Sequence, residues 1–174
     1  MNKFTIEIPE FCLVALVGAT SAGKSSFAKK YFKPTEVLSS DFFRAMICDD
    51  ENEQSISSDA FDLLYNALNK RLNNTKLTVV DATSVQYSAR KKLLDIAEEH
   101  NVHTAAIVLN LPEEILQRRN NARPDRNIPD RVVREHYDEL QQGIKNLKQE
   151  GFDFVYIINS LEQLDGVEIV RTKL

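Results

Sequence analysis

Cys12-Leu13-Val14-Ala15-Leu16-Val17 is an uninterrupted apolar run, the pattern of a strand covered on both faces. Shorter or similar runs recur at residues 36–39, 77–81, 104–109 and 154–158, and Thr5-Ile6-Glu7-Ile8 alternates as a short leading strand cut by Pro9. Between these runs the spacing changes to three and four. Phe61, Leu64, Leu68 and Leu72 mark one helix from Ser57 or Ser58, and Ala89, Leu93, Ile96 and Ala97 mark another over residues 84–100. Val133, Tyr137, Leu140, Ile144 and Leu147 mark a long third, ended near Gly151. Further helices are expected at residues 24–32, stopped by Lys33-Pro34-Thr35, and from Asp41, capped by Ser39 or Ser40. Pro112 opens one more. Strands alternating with helices at this spacing predict an α/β fold: a five-stranded parallel sheet with helices on both faces and right-handed crossovers. No repeat, low-complexity segment or linker interrupts residues 1–174, so a single domain is expected.

The stretch between the first buried strand and the helix after it is Gly18-Ala19-Thr20-Ser21-Ala22-Gly23-Lys24-Ser25, a strand, Gly-x4-Gly-Lys-Ser, helix arrangement. That spacing is the P-loop, or Walker A, pattern. Gly18 and Gly23 let the backbone turn tightly and bring its N–H groups onto phosphate oxygens. The helix start adds its positive dipole end, Lys24 offers a point charge for β- and γ-phosphates, and the Ser25 hydroxyl can ligate Mg²⁺.

Composition sharpens this reading by exclusion. With 174 residues, 43% of them hydrophobic, the chain is long enough for a full core. A net charge of −4 argues against coating nucleic acid nonspecifically, so any polyanion must be met in a local basic cleft. Cys12 and Cys48 have no metal-ligand or disulfide spacing, which points to a reduced, cytoplasmic protein. No run is long and apolar enough to suggest a membrane segment.

Four further places carry candidate chemistry. Asp41 and Arg44 stand at i and i+3 where a strand ends and a helix begins; the pair is either a surface ion pair or a general base beside an anion clamp. Asp81 ends an apolar strand, where a carboxylate can orient Mg²⁺ or cap a turn, and Ala82 follows it, which weakens a motor-type ATPase reading. Arg119, Arg123 and Arg126 follow one another at steps of four and three, either a basic lid of about residues 112–130 that would neutralise phosphate charge or a solvated charged helix end. Asn159-Ser160 could touch a nucleobase or cap the last helix. The acidic run at residues 49–53 reads as a solvated loop, and no constellation recruits His136.

Taken together, the Gly18–Ser25 loop, the 32–44 segment with its Ser-Ser-Asp-Phe-x-Arg, the Thr-Val-Val-Asp-Ala-Thr at 78–83 and the Arg-x3-Arg-x2-Arg of 119–126 resemble the kinase module of bacterial polynucleotide kinase-phosphatases. Those proteins are the end-healing component of an RNA repair system. The resemblance implies an adenylate-kinase-like P-loop fold and Mg²⁺-dependent transfer of the ATP γ-phosphoryl group to a 5′-hydroxyl end of RNA or DNA. Carried over, Gly18, Ala19, Thr20, Ser21, Ala22, Gly23, Lys24, Ser25 and Ser26 would bind ATP. Ser25 would hold Mg²⁺ with Asp41 and Asp81 nearby, Asp41 would be the general base, and Arg44 would grip the acceptor's phosphate. Arg119, Arg123 and Arg126 would contact the phosphate donor, Lys24 and Arg126 also aiding the chemistry. The loop interior, Ala19-Thr20-Ser21-Ala22, departs from the Gly- and Ser-richer loops of that family. Members usually continue into phosphatase and ligase-like domains, so the chain is an excised module or a stand-alone kinase. A small-molecule kinase acting on a sugar, nucleoside or antibiotic hydroxyl is the second reading, and a non-catalytic nucleotide-binding module the third.

Overall fold

The computed structural model describes residues 3–125 and 128–174. Its strands are β1 (Phe4–Pro9), β2 (Cys12–Val17), β3 (Val37–Ser39), β4 (Thr78–Asp81), β5 (His103–Leu109), β6 (Phe154–Ile158) and β7 (Val167–Thr172). Its helices are α1 (Lys24–Tyr31), α2 (Ser40–Cys48), α3 (Ser57–Asn73), α4 (Tyr87–Glu99), α5 (Glu113–Asn121), α6 (Asp130–Gly143), α7 (Leu147–Glu150) and α8 (Leu161–Asp165).

Five strands form the expected sheet in the order β3-β4-β2-β5-β6, and every pairing is parallel. β2 is central because all six of its residues are apolar and none is exposed, the only position a strand of that composition can occupy without cost. Its period of two divides the core. Leu13, Ala15 and Val17 face a cluster built with α3 and α4, while Cys12, Val14 and Leu16 face one built with α1 and β1. Burial pushes the Cys12 thiol up to about 12, and Cys48 stands exposed.

The register brings Leu16, Ser39 and Asp81 level, so β2, β3 and β4 end at one edge of the sheet. After β2 the chain turns to β3 and β4 on one side and then to β5 on the other. The crevice beyond the carboxyl ends at such a reversal is where open α/β sheets take their ligands.

Three boundaries differ from the sequence pattern. The helix expected over 84–100 starts only at Tyr87, because Ser84 adopts φ 50 and the backbone before it is committed to a loop, with Gly18 N–H donating to Thr83 O at 3.0 Å. The long helix ending near Gly151 tightens into a 3₁₀ turn at Ile144–Asn146 before α7. A seventh strand, β7, pairs in parallel with β1 as a separate two-stranded sheet.

Candidate functional site

Between β2 and α1 the chain forms a compact loop whose shape is set by two left-handed residues, Ser21 at φ 67 and Gly23 at φ 94. Gly23 is the N-cap of α1, and a Cβ there would lie 3.1 Å from Arg119 Nη1. At Gly18 a Cβ would stand 3.2 Å from Leu109 O and 3.3 Å from Ala22 Cβ, so any side chain there would press on the β5 backbone and the loop. Ala22 N–H donates to Ala19 O at 3.2 Å. The buried Lys24 folds its ammonium onto the loop, donating to Gly18 O at 3.0 Å and Ala19 O at 2.9 Å. Ser21 Oγ is buried with no hydrogen-bond partner among the described residues. A buried hydroxyl left unmatched beside an ammonium and a helix N-terminus suits an anion with spare acceptor oxygens, and phosphate is such an anion.

Ser25, one residue into α1, donates from Oγ to Asp81 Oδ2 at 2.7 Å. Parallel pairing of β2 with β4 makes this meeting possible across a sequence separation of 56. A hydroxyl and a carboxylate are hard oxygen donors, and Mg²⁺ takes one or two such ligands beside phosphate oxygens and water. The pair therefore fits Mg²⁺. Among the described residues no group of three or more His, Cys, Asp or Glu could hold a metal ion.

Beyond β3, Ser39 caps α2, its Oγ accepting from Phe42 N–H at 3.3 Å, and this fixes the first turn on which Asp41 sits. Arg44 Nη1 donates to Asp41 Oδ1 at 2.7 Å, and Arg44 Nε donates to Ser57 Oγ at 3.1 Å. The pair is no surface ornament, because Arg44 is only 7% exposed. Both residues face the cleft that holds the loop, a cavity of about 1280 Å³.

On the far wall, α5 supplies Arg119, whose Nη1 donates to Ala22 O at 3.0 Å, and the loop after α5 supplies the exposed Arg123. Arg126, the third expected lid arginine, lies outside the described residues. Lys24, Ser25, Ser26, Asp41, Asp81, Arg44, Arg119 and Arg123 thus share one cleft. Asn159 and Ser160 stand apart from it: Ser160 Oγ accepts from Gln163 N–H at 3.1 Å and caps α8, the plainer of their two readings. His136 was not expected in the cleft, yet α6 brings it there, with Nδ1 accepting from Thr20 N–H at 3.4 Å. Asn52, from the acidic run, lines the cleft as well. No sequence spacing marks His136, since its partner is 116 positions away.

The fold and the loop define a P-loop domain. The family described as AAA domain matches residues 13–147, most of the chain, and the chain belongs to that family. It is 28% identical over 137 residues to the L-seryl-tRNA(Sec) kinase of Methanococcus maripaludis, covering 74% of this chain and 52% of that one. The chain therefore spans about half the length of the curated relative it matches. Among solved structures, a chain of the Pnkp1/Rnl/Hen1 RNA repair complex superposes with TM-score 0.69 at 23% identity, over 80% of this chain and 47% of that chain. A gluconokinase from Sinorhizobium meliloti 1021 superposes with TM-score 0.53 at 17% identity, over 87% and 84%. The expected fold is thus found, shared with kinases of differing acceptors.

Proposed function

We propose that this chain is a polynucleotide 5′-hydroxyl kinase, transferring the γ-phosphoryl group of ATP to a 5′-OH end of RNA or DNA. The observation that carries the proposal is the Asp41–Arg44 pair, held at 2.7 Å and facing the same cleft as Lys24 and Ser25. A phosphate site alone would suit any nucleotide-binding protein; a carboxylate beyond it, oriented by a buried guanidinium, suits a reaction that removes a proton from a hydroxyl.

In the proposed reaction the loop amides, the Ser21 hydroxyl and Lys24 bind the donor phosphates. Lys24 must exchange its bonds to Gly18 O and Ala19 O for phosphate oxygens. Asp41 accepts the proton as the acceptor oxygen bonds to the γ-phosphorus and the bond to the bridging oxygen breaks, releasing ADP. Arg44 keeps the carboxylate aimed and meets the acceptor's neighbouring phosphate, while Arg119 and Arg123 offset charge on the transferred group. Ser25 and Asp81 would hold Mg²⁺, which when bound screens phosphate charge.

A motor ATPase is the other reading the family description raises, but Ala82 stands after Asp81 where a second carboxylate would activate water. A small-molecule kinase is favoured by one observation, the gluconokinase fold that overlaps 84% of its own chain. The test is label transfer from [γ-³²P]ATP with Mg²⁺ to 5′-OH RNA and DNA oligonucleotides, with gluconate and nucleosides in parallel. Label on an oligonucleotide, lost in Asp41→Ala and Lys24→Ala, is the expected result. Label on a small molecule alone would replace the acceptor.

A further inference from the structure

The cleft contains an imidazole, that of His136, which the reaction above does not use. His136 lies half-buried on α6 with Nδ1 accepting from the Thr20 amide at 3.4 Å. A ring nitrogen that accepts carries no proton, so the other nitrogen, Nε2, holds it and the imidazole is neutral.

The loop has few other ties at this point. Gly18 N–H is fixed by Thr83 O, Ala22 N–H by Ala19 O, and Ala22 O by Arg119. Lys24 ties Gly18 O and Ala19 O, but these are the bonds an arriving phosphate would draw away. Once they are exchanged, the stretch leading into the left-handed Ser21 has its amide held from outside by α6. We propose that His136 is a positioning residue for the phosphate loop, its neutral ring holding the Thr20 amide so that the turn through Ser21 and Gly23 keeps its shape when Lys24 turns to the nucleotide. The inference rests on the nucleotide-binding part of the proposed function and not on the identity of the acceptor.

The surroundings agree with a neutral ring. Burial and the Lys24 ammonium of α1 hold the His136 pKa below its ordinary value, against the pull of Glu139 and Glu135 on its own helix. Asp81, Arg119, Arg123 and Asp125 share the cleft. Proton uptake would remove the acceptor and add a further cation to the one on Lys24 and those of Arg119 and Arg123 in the cleft. A ring that instead touched phosphate directly would behave in the opposite way, binding more tightly as it charged.

Calorimetric titration with Mg²⁺ and AMP-PNP separates these roles. His136→Ala should weaken affinity by about tenfold at pH 7.5, the size of one neutral hydrogen bond. His136→Asn, which restores an acceptor without a titrating group, should stay within about twofold of native, since the bond is remade. Between pH 7.5 and 5.5 the native affinity should fall relative to the Asn variant; the comparison cancels the nucleotide's own titration. In turnover, His136→Ala should raise the KM for ATP and leave that for the acceptor unchanged. Native affinity gaining on the Asn variant as pH falls, or Ala and Asn binding alike, would overturn the tether. Absence of nucleotide binding by the native chain would remove the nucleotide reading itself, and the tether with it.

Discussion

At the scale of single residues the loop is governed by the backbone. Gly23 sits at φ 94 with Arg119 Nη1 3.1 Å from where a Cβ would be. Gly23→Ala therefore meets both a disfavoured dihedral and a neighbour engaged on Ala22 O. The dihedral alone costs about 1 kcal/mol or somewhat more, which for a chain of this length lowers Tm by roughly 2–4 °C per kcal/mol. The expected outcome is that modest thermal loss together with loss of AMP-PNP binding; full affinity in the variant would show that the turn does not shape the site. Lys24, Ser25 and Gly23 were legible because a loop between strand and helix packs its chemistry into consecutive positions. Asp41 and Arg44 were legible for the same reason, one helical turn holding both. The Ser25–Asp81 bond and the His136–Thr20 bond join distant positions, and only the first could be anticipated, from the place of Asp81 at a strand end.

At the scale of elements, α4 shows what periodicity can and cannot tell. Leu93, Ile96 and Ala97 face the core as the pattern requires, but the inward residue of the first turn is Arg90, 2% exposed, one place after the expected Ala89. A buried arginine breaks no rule when each of its nitrogens donates. Arg90 Nε and Nη2 donate to the two Glu150 carboxylate oxygens at 2.7 Å each, and Nη1 donates to Ser84 O at 3.1 Å and Val85 O at 2.7 Å. One guanidinium thus ties α4, α7 and the loop leaving β4, the loop that also receives Gly18 N–H through Thr83 O. No hydrophobic pattern could reveal it, since Arg90 reads as a polar surface position. With side-chain exposures of 2% and 8%, the ion pair is buried, and removing one partner strands the other. Glu150→Gln should cost about 3–5 kcal/mol, the range for breaking a buried pair. Urea unfolding would check it; a loss below about 1 kcal/mol would mean that water reaches Arg90 and replaces the carboxylate.

At the scale of the whole molecule, the five-stranded sheet followed from continuous apolar runs, whereas β7 escaped because its partner, β1, lies at the other end of the chain and offers no local signal. The two strands pair from Phe4 with Val167 to Pro9 with Thr172 and fasten to the main body through side chains. Tyr31 Oη donates to Val167 O at 3.0 Å, Tyr156 Oη donates to Glu7 O at 2.7 Å, and Arg171 forms a bidentate pair with Glu36 at 2.7 and 2.8 Å. Arg171 also lies over the Phe32 ring, at the end of the helix that begins in the phosphate loop. Closure of the molecule therefore depends on a titratable group. The hydrogen bond from Arg171 holds the Glu36 carboxyl below the ordinary carboxylate value, outweighing its burial. A depressed folded-state pKa gives stability that is complete above the unfolded value, about 4.3, and is lost as pH falls through the folded value. Unfolding free energy measured by urea should therefore fall for the native chain as pH is lowered through that window. Glu36→Gln should be less stable than native at pH 7 and should approach it under acid, because the carboxyl that distinguishes them is then protonated. Curves that stay parallel from pH 7 down through that window would show that the pair is equally screened in the folded and unfolded chain, and that β7 is held by its ladder, by Tyr31 and by its apolar packing.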